Sequence, residues 1–295
     1  MAVGVTSSTT ISSARNPLVR HAVRLRDNRF RQKQREVIVD GIREIERAIN
    51  GGLRLKTLFI GQAVDQPAAG PVFEQRESIE RQQGLISKAK DTVVNLTPEL
   101  MAQVAYGGNP RDAVAIFEQP GDRTLGRLVL GAQALVIVMV GIEKPGNAGA
   151  IFRSADAVGA DAVVLCDAGC DLFNPNLIRA SLGTVFTVPC AEASEVETIA
   201  WLRERGLTSY AAIVGARRTM WEVDYRGPAA IVVGSEADGL GPLWREKNEL
   251  AGHSSGDLVA VSIPMLGAAD SLNVSVTAAA LLFEARRQRL AESAK

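Results

Sequence analysis

Cysteine and histidine are nearly absent from this chain. Three cysteines (Cys166, Cys170, Cys190) and two histidines (His21, His253) in 295 residues supply neither an even disulfide framework nor a paired Cys/His zinc spacing. No apolar run approaches the ~18 residues of a membrane span. The first residues are rich in Ser and Thr, without the positive-then-apolar pattern of a secretory signal. These absences predict a cytoplasmic protein with no metal and no membrane partner, and they leave His21 and His253 as ordinary surface or core residues. Net charge is also missing, at +0, so no global field announces a polyanionic partner. Two nucleotide-binding turns are absent as well. Gly-Ile-Glu-Lys-Pro-Gly-Asn stands where a doubly wound dinucleotide fold would carry Gly-x-Gly-x-x-Gly, and no Gly-x-x-x-x-Gly-Lys occurs. That disfavours NAD and the commoner methyltransferase fold.

What is present begins with a local charge imbalance. Residues 15–35 hold eight basic side chains against one acid, Asp27. Such a segment on a neutral protein is either a footprint for phosphates or a solvated helix face, and Arg15, Arg20, Arg24, Arg31 and Arg35 are the candidate RNA contacts. Asn16-Pro17 starts a helix, and Leu18, His21, Ala22 and Leu25 follow at helical spacing. Residues 37–39 and 53–60 read as strands around a helix at 41–50 that Gly51-Gly52 ends. A helix is expected at 72–83, strand-like or irregular segments at 85–87 and 93–96, a helix from Pro98 capped by Thr97, and a strand at 113–117. The division is then a disordered lead at 1–14, a small α/β domain at 15–118, a linker at 119–132 and a larger domain at 133–295.

From Leu135 the pattern changes. Residues 135–140 are a near-continuous apolar run, as in a strand buried on both faces. A helix opens at Pro145-Gly146-Asn147 and runs to about Val158. Strands at 162–165, 184–188, 209–214, 229–233 and 258–261 alternate with helices at 174–182, 195–205 and 274–287. Alternating βα units give an α/β parallel sheet with helices on both faces. Cys166, ending an apolar run, reads as a small core residue.

Three separated blocks stand out in this half. They are Asn147-Ala148-Gly149-Ala150-Ile151-Phe152-Arg153-Ser154-Ala155-Asp156, Gly234-Ser235-Glu236-Ala237-Asp238-Gly239-Leu240, and Ile263-Pro264-Met265 followed by Ser271-Leu272-Asn273-Val274-Ser275. In that order they resemble the signature blocks of the SPOUT superfamily, closest to its SpoU/TrmH family of RNA ribose 2′-O-methyltransferases. The resemblance covers about residues 135–287. It implies a knotted (trefoil) catalytic domain behind a small RNA-binding domain, S-adenosyl-L-methionine (AdoMet) as cofactor, and a homodimer with the first βα helix and the last helix near its interface. Residues 278–283 offer an apolar patch for that contact. The order Asn16-Pro17, Arg31, Asp40-Gly41 resembles the family's substrate-binding domain, where Glu often stands in place of Asp40.

Pro264 has no N–H and must leave the sheet, so the backbone of Ile263 and Met265 is free for an adenine edge. Gly234 permits close backbone approach, Gly215 belongs to a further wall, and Leu272 can pack on an apolar face. With Ser271 these form the expected cofactor set. The expected catalytic set is Asn147, Arg153, Glu236, Ser271 and Asn273. In the family the residue matching Arg153 is taken to activate the ribose hydroxyl. A free guanidinium has a pKa above ~12, so a phosphate clamp that polarises the 2′-OH is the preferred role. The alternative for Arg153 is a structural ion pair with Glu236. Ribosomal RNA of the 23S type is the favoured substrate, and antibiotic-resistance enzymes of this family share the two-part layout. The rivals are a tRNA 2′-O-methyltransferase, a non-catalytic RNA-binding or assembly factor, a base methyltransferase and an NAD-dependent oxidoreductase.

Overall fold

A computed structural model describes residues 10–61, 72–89, 92–108, 113–167, 169–244 and 258–293, with side chains left aside at 72–79 and 292–293. His253 and the lead residues 1–9 lie outside that set. The chain forms two units, one of residues 1–121 with 173–187, the other of 122–172 with 188–295.

In the first unit, Ile11, inside the span 1–14 expected as a disordered lead, is held against the sheet. Ile11 pairs with the third strand, its N–H donating to Asn95 O at 2.9 Å. Helix α1 (Pro17–Arg24) is capped by the Asn16 side chain, and α2 (Asn28–Gln34) by Asp27, whose carboxylate accepts the Phe30 N–H. Strand β1 (Glu36–Asp40), α3 (Ile42–Asn50), β2 (Leu55–Gly61), α4 (Val72–Ala89), β3 (Val93–Leu96), α5 (Pro98–Val104) and β4 (Ala113–Glu118) follow. The sheet order is β1-β4-β2-β3, antiparallel except for the parallel β2/β3 pair. Residues 85–87 are helical, because Leu85 and Ala89, one turn apart, both turn inward. Thr97 precedes α5, but its hydroxyl makes no capping bond. His21 is half-buried, its Nε2 2.5 Å from Glu36. Burial raises the Glu36 carboxyl, but hydrogen bonds from Lys56 and His21 outweigh it and hold the group below the usual range.

The second unit opens within the expected linker, which is partly structured: a 3-10 turn (Leu125–Arg127) follows Arg123, whose carbonyl accepts the Glu192 N–H at 2.8 Å. Strand β5 (Leu135–Val140), α6 (Pro145–Val158) and β6 (Ala162–Cys166) come next. The chain then gives α7 (Pro175–Ala180) and a 3-10 turn (Thr184–Phe186) to the first unit, where α7 packs on β1. That turn replaces the strand expected at 184–188. Gly183 takes a left-handed φ of 84°, and the Thr184 N–H and hydroxyl both donate to Ser181 O. Local bonds thus override the β-branched run. The strand lies later, at β7 (Cys190–Ala193), and is followed by α8 (Glu195–Glu204), which opens on a complete Ser194/Glu197 capping box. Then come β8 (Thr208–Ala212), the two-residue β9 (Arg218–Thr219), β10 (Ala229–Val233), β11 (Leu258–Ser262) and α9 (Val274–Ser293), which runs six residues past its expected end.

These strands form one parallel sheet in the order β7-β6-β5-β10-β8-β11-β9. Every residue of β5, β6 and β10 is buried, as an interior parallel strand requires. Val136, Val138, Val164, Cys166 and Val232 share one core with Trp201 and Leu202 of α8. Alternation sends the intervening side chains to the other face, where α9 packs on β10 and α6 packs on α9. Strand β11, expected to be buried, is mostly half-exposed. No helix of the described residues is long and apolar enough to cross a membrane, and these residues hold no cluster suited to a metal ion.

Candidate active site

Three consecutive neighbours in the sheet, β10, β8 and β11, all run the same way. Their carboxyl-terminal turns must therefore sit side by side. These turns, at 234–239, 213–215 and 263–265, together with 270–274 at the start of α9, line a cleft of about 710 Å³. Every expected cofactor residue is in its lining: Gly215, Gly234, Ile263, Met265, Ser271 and Leu272. Among the described residues, no hydrogen bond within the protein engages the backbone of Ile263 or Met265. Free backbone groups beside the Leu272 side chain suit a ligand with a hydrogen-bonding edge and an apolar face.

Gly234 has a further reason within the protein itself. A Cβ there would lie 2.3 Å from the Gly239 carbonyl and 2.6 Å from Leu240 N. The missing side chain lets the turn close on itself, and Ser235 fastens it by accepting the Gly239 N–H at its carbonyl and the Asp238 N–H at its hydroxyl. Gly234→Ala must displace backbone rather than a flexible side chain. It is expected to destabilise the protein by about 1–3 kcal/mol and to weaken ligand binding in the cleft, read by thermal unfolding with and without AdoMet. An unchanged melting temperature and an unchanged ligand-induced shift would contradict this.

At the cleft rim, Glu236 gathers three donors. Asn147 Nδ2 donates to Oε1 at 2.9 Å, Asn273 Nδ2 donates to the same oxygen at 2.7 Å, and Lys144 Nζ donates to Oε2. Asn273 also reaches Asn147 Oδ1 at 3.3 Å, and its own Oδ1 accepts the N–H and hydroxyl of Ser275, capping α9. One carboxylate thus ties the start of α6 to the start of α9 across the turn after β10. The Lys144 and Asn147 hydrogen bonds hold the Glu236 carboxyl below the usual range. A depressed folded-state pKa means that the tie is complete above the ordinary carboxylate value of 4.5 and is lost only as pH falls through the lower folded value. The activity that the family resemblance implies should therefore show no Glu236 titration from pH 5 upward, whereas Glu236→Ala should lower its kcat/KM by on the order of a hundredfold through misplacement of both asparagines. A loss of activity centred between pH 5 and 7 that Glu236→Gln removes would contradict the assignment.

Lys144 was not singled out from the sequence. The signal was available: a lysine one residue before Pro145 sits at a helix N-terminus, where the helix dipole disfavours cations, and needs a nearby carboxylate.

Arg153 does not pair with Glu236. It projects exposed from α6 and has no ion-pair or hydrogen-bond partner among the described residues. Six residues at 100° each put it about 120° around the helix from Asn147.

In the basic segment the expected contacts separate. Arg15, Arg20, Arg24 and Arg35 are exposed, with Arg24 stacked over Phe30 at 4.0 Å. Arg31 is not available to RNA: it is 2% exposed and donates to the carbonyls of Leu25 and Arg26, closing the α1–α2 turn.

Comparison with known proteins gives the family. Residues 134–283 match the model of the SpoU rRNA Methylase family, and residues 16–115 match the MRM3-like substrate binding domain. The 23S rRNA (guanosine-2′-O-)-methyltransferase RlmB of Ralstonia nicotianae is 31% identical over 76% of this chain and 89% of its own. A crystal structure of an RNA 2′-O ribose methyltransferase superposes with a TM-score of 0.79 at 37% identity, covering 96% of this chain and all of the other. The SpoU methyltransferase AviRb of Streptomyces viridochromogenes in complex with AdoMet superposes with a TM-score of 0.77 at 25% identity, covering 94% and 100%.

Proposed function

The chain belongs to the SpoU rRNA methylase family, and on that premise we propose that it is an AdoMet-dependent enzyme that methylates a ribose 2′-oxygen of 23S-type ribosomal RNA. The observation that carries the reading is the meeting of Asn147, Glu236 and Asn273, one from each signature block, at the mouth of the cleft. Bound AdoMet would supply a methyl group on a positively charged sulfur. The turns at 213–215, 234–239 and 263–265 would hold it, through backbone groups of Ile263 and Met265 and the side chain of Leu272. In-line transfer needs alignment more than a strong acid or base, and the Glu236 tie fixes the two asparagines that would align the ribose, with Ser271 beside them. Arg153 would clamp the target phosphate and polarise the 2′-OH. The exposed arginines at 15, 20, 24 and 35 would hold the RNA backbone. The trefoil knot implied by the family resemblance is part of this reading.

The relatives' names favour ribosomal RNA over transfer RNA, and such a substrate would place the protein in the cytoplasm. A non-catalytic factor would have no need of the intact tie around Glu236. Mapping 2′-O-methylated positions in ribosomal RNA from cells with and without the protein tests the proposal. One position lost with the protein is expected; identical maps would contradict it.

The enzyme would act as a homodimer. The patch expected at 278–283 mostly faces the protein's own core, with Ala278, Leu281 and Leu282 fully buried and only Phe283 well exposed. The outward stripe is instead Val276, Phe283 and Leu290, spaced by seven on α9 and 50%, 53% and 61% exposed. Sedimentation should show a dimer that Val276→Asp with Phe283→Asp converts to monomer; a monomeric wild type would remove this part.

A further inference from the structure

Trp221 and Leu266 are exposed apolar side chains outside the cleft's lining, so AdoMet bound in the cleft does not explain them. After β8 the chain turns through Val214 and Gly215, passes Arg217, forms β9 and reaches Trp221. Val214 is 75% exposed and Trp221 63% exposed, while the other tryptophans, Trp201 and Trp244, are buried. Leu266, next to the cleft-lining Met265, is 99% exposed.

The backbone of residues 216–222 is hydrogen-bonded to the sheet and to itself. Ser262 pairs with Thr219 in the sheet, its carbonyl accepts the Met220 N–H at 2.8 Å, and its single hydroxyl hydrogen is shared between Ala216 O at 3.0 Å and Arg218 O at 3.2 Å. The Glu222 carboxylate accepts the Thr219 N–H at 2.7 Å and the Glu222 N–H donates back to Thr219 O, a tight turn that leaves Trp221 in solvent. The Ser262/Thr219 pair is the last of the ladder, and Trp221 follows it by two residues, so it lies past the carboxyl end of β9, the sheet neighbour of β11. Between Val214 and Met220 the charges are Arg217 and Arg218, with no acid.

An exposed indole four residues after the exposed Arg217, past the carboxyl end of a strand next to β11, has the chemistry of a stacking platform for unpaired nucleotides. Every base has a π-face for the ring, and its phosphate suits the arginine. We infer that Trp221 and Arg217 form an RNA subsite in which a base next to, or at, the methylated nucleotide stacks on the indole while Arg217 contacts its phosphate. This rests on the methyltransferase reading above and adds the element that selects a single-stranded target. A scaffold that keeps a ribose within reach of the cleft must splay the nucleotide out of its helix, and the Trp221 ring offers the surface onto which it unstacks.

The test is filter binding of a 23S rRNA transcript to the full-length protein, alongside AdoMet titration, sedimentation and methyl transfer. Trp221→Ala is expected to weaken RNA binding about tenfold, with AdoMet affinity and sedimentation as in the wild type, and Trp221→Phe to recover most of the loss. Arg217→Ala should reduce the slope of log affinity against log salt by about 0.7, one phosphate on a single strand. Unchanged RNA affinity in Trp221→Ala would overturn the inference. So would a shift of Trp221→Ala toward monomer, which would assign the Trp221 surface to a second copy of this chain. Absence of methyl transfer by the wild type would instead count against the enzymatic reading, and filter binding would still decide the platform.

Discussion

Replacing Arg153 with alanine is expected to lower kcat for methyl transfer by about 10²–10⁴-fold, the usual range for removing a group that activates a nucleophile, while leaving AdoMet affinity within about twofold. The side chain lines no part of the cleft and touches none of Glu236, Asn147 or Asn273, so cofactor binding has no reason to change. Arg153→Lys keeps the charge but loses the two-pronged geometry, and should recover little if the side chain clamps a phosphate. The position of Arg153 around α6 adds a sharper expectation. Within one chain it points away from the Glu236 tie, whereas a two-fold contact along α6 and α9 would carry it toward the other protomer. Mixing inactive Arg153→Ala protein with inactive Glu236→Ala protein should then restore activity, to about a quarter of wild type for random reassortment of a symmetric dimer. No recovery after confirmed subunit exchange would place Arg153 and Glu236 in the same protomer's site or remove Arg153 from the chemistry.

The second large effect is on stability. Asp40 is 4% exposed and takes both arms of Arg26, at 2.5 and 2.8 Å, while accepting the Tyr106 N–H at 3.0 Å. Arg26 also donates to Val104 O at 2.6 Å. One carboxylate thereby joins the α1–α2 turn, the end of β1 and the segment just after α5. Asp40→Ala would leave a largely buried guanidinium without its counter-charge and a backbone N–H without its acceptor, costing about 3–5 kcal/mol. Urea unfolding should show a lower midpoint, and hydrogen exchange should show the loosening in β1 and α5 first. A shift below about 1 kcal/mol would mean that water or a rearranged Arg26 compensates. Arg26 thus belongs to the scaffold of the basic segment and not to its RNA-facing side.

Much of the second unit was legible because interior parallel strands admit little but apolar residues. The runs at 135–140, 162–165 and 229–233 each became a strand, and the blocks around Asn147, Glu236 and Asn273 met because the fold places them at one sheet edge. Local rules failed where neighbours decide. The β-branched run at 184–188 became a 3-10 turn through Ser181, Gly183 and Thr184. The segment 173–187 packs with the first unit, a long-range choice that periodicity does not encode. Arg31 looked like its basic neighbours, yet two carbonyls at the α1–α2 turn claim it. Lys144 escaped notice because its counter-charge, Glu236, lies 92 residues away.

The most direct measurement is the identity of the product. Purified protein, AdoMet carrying a labelled methyl group and 23S rRNA, followed by digestion to nucleosides and mass analysis, should yield one ribose-methylated nucleoside whose label survives removal of the base. Label on the base, or transfer that persists when Asn273 and Glu236 are both replaced by alanine, would contradict the arrangement of turns proposed to set the reaction on the sugar oxygen.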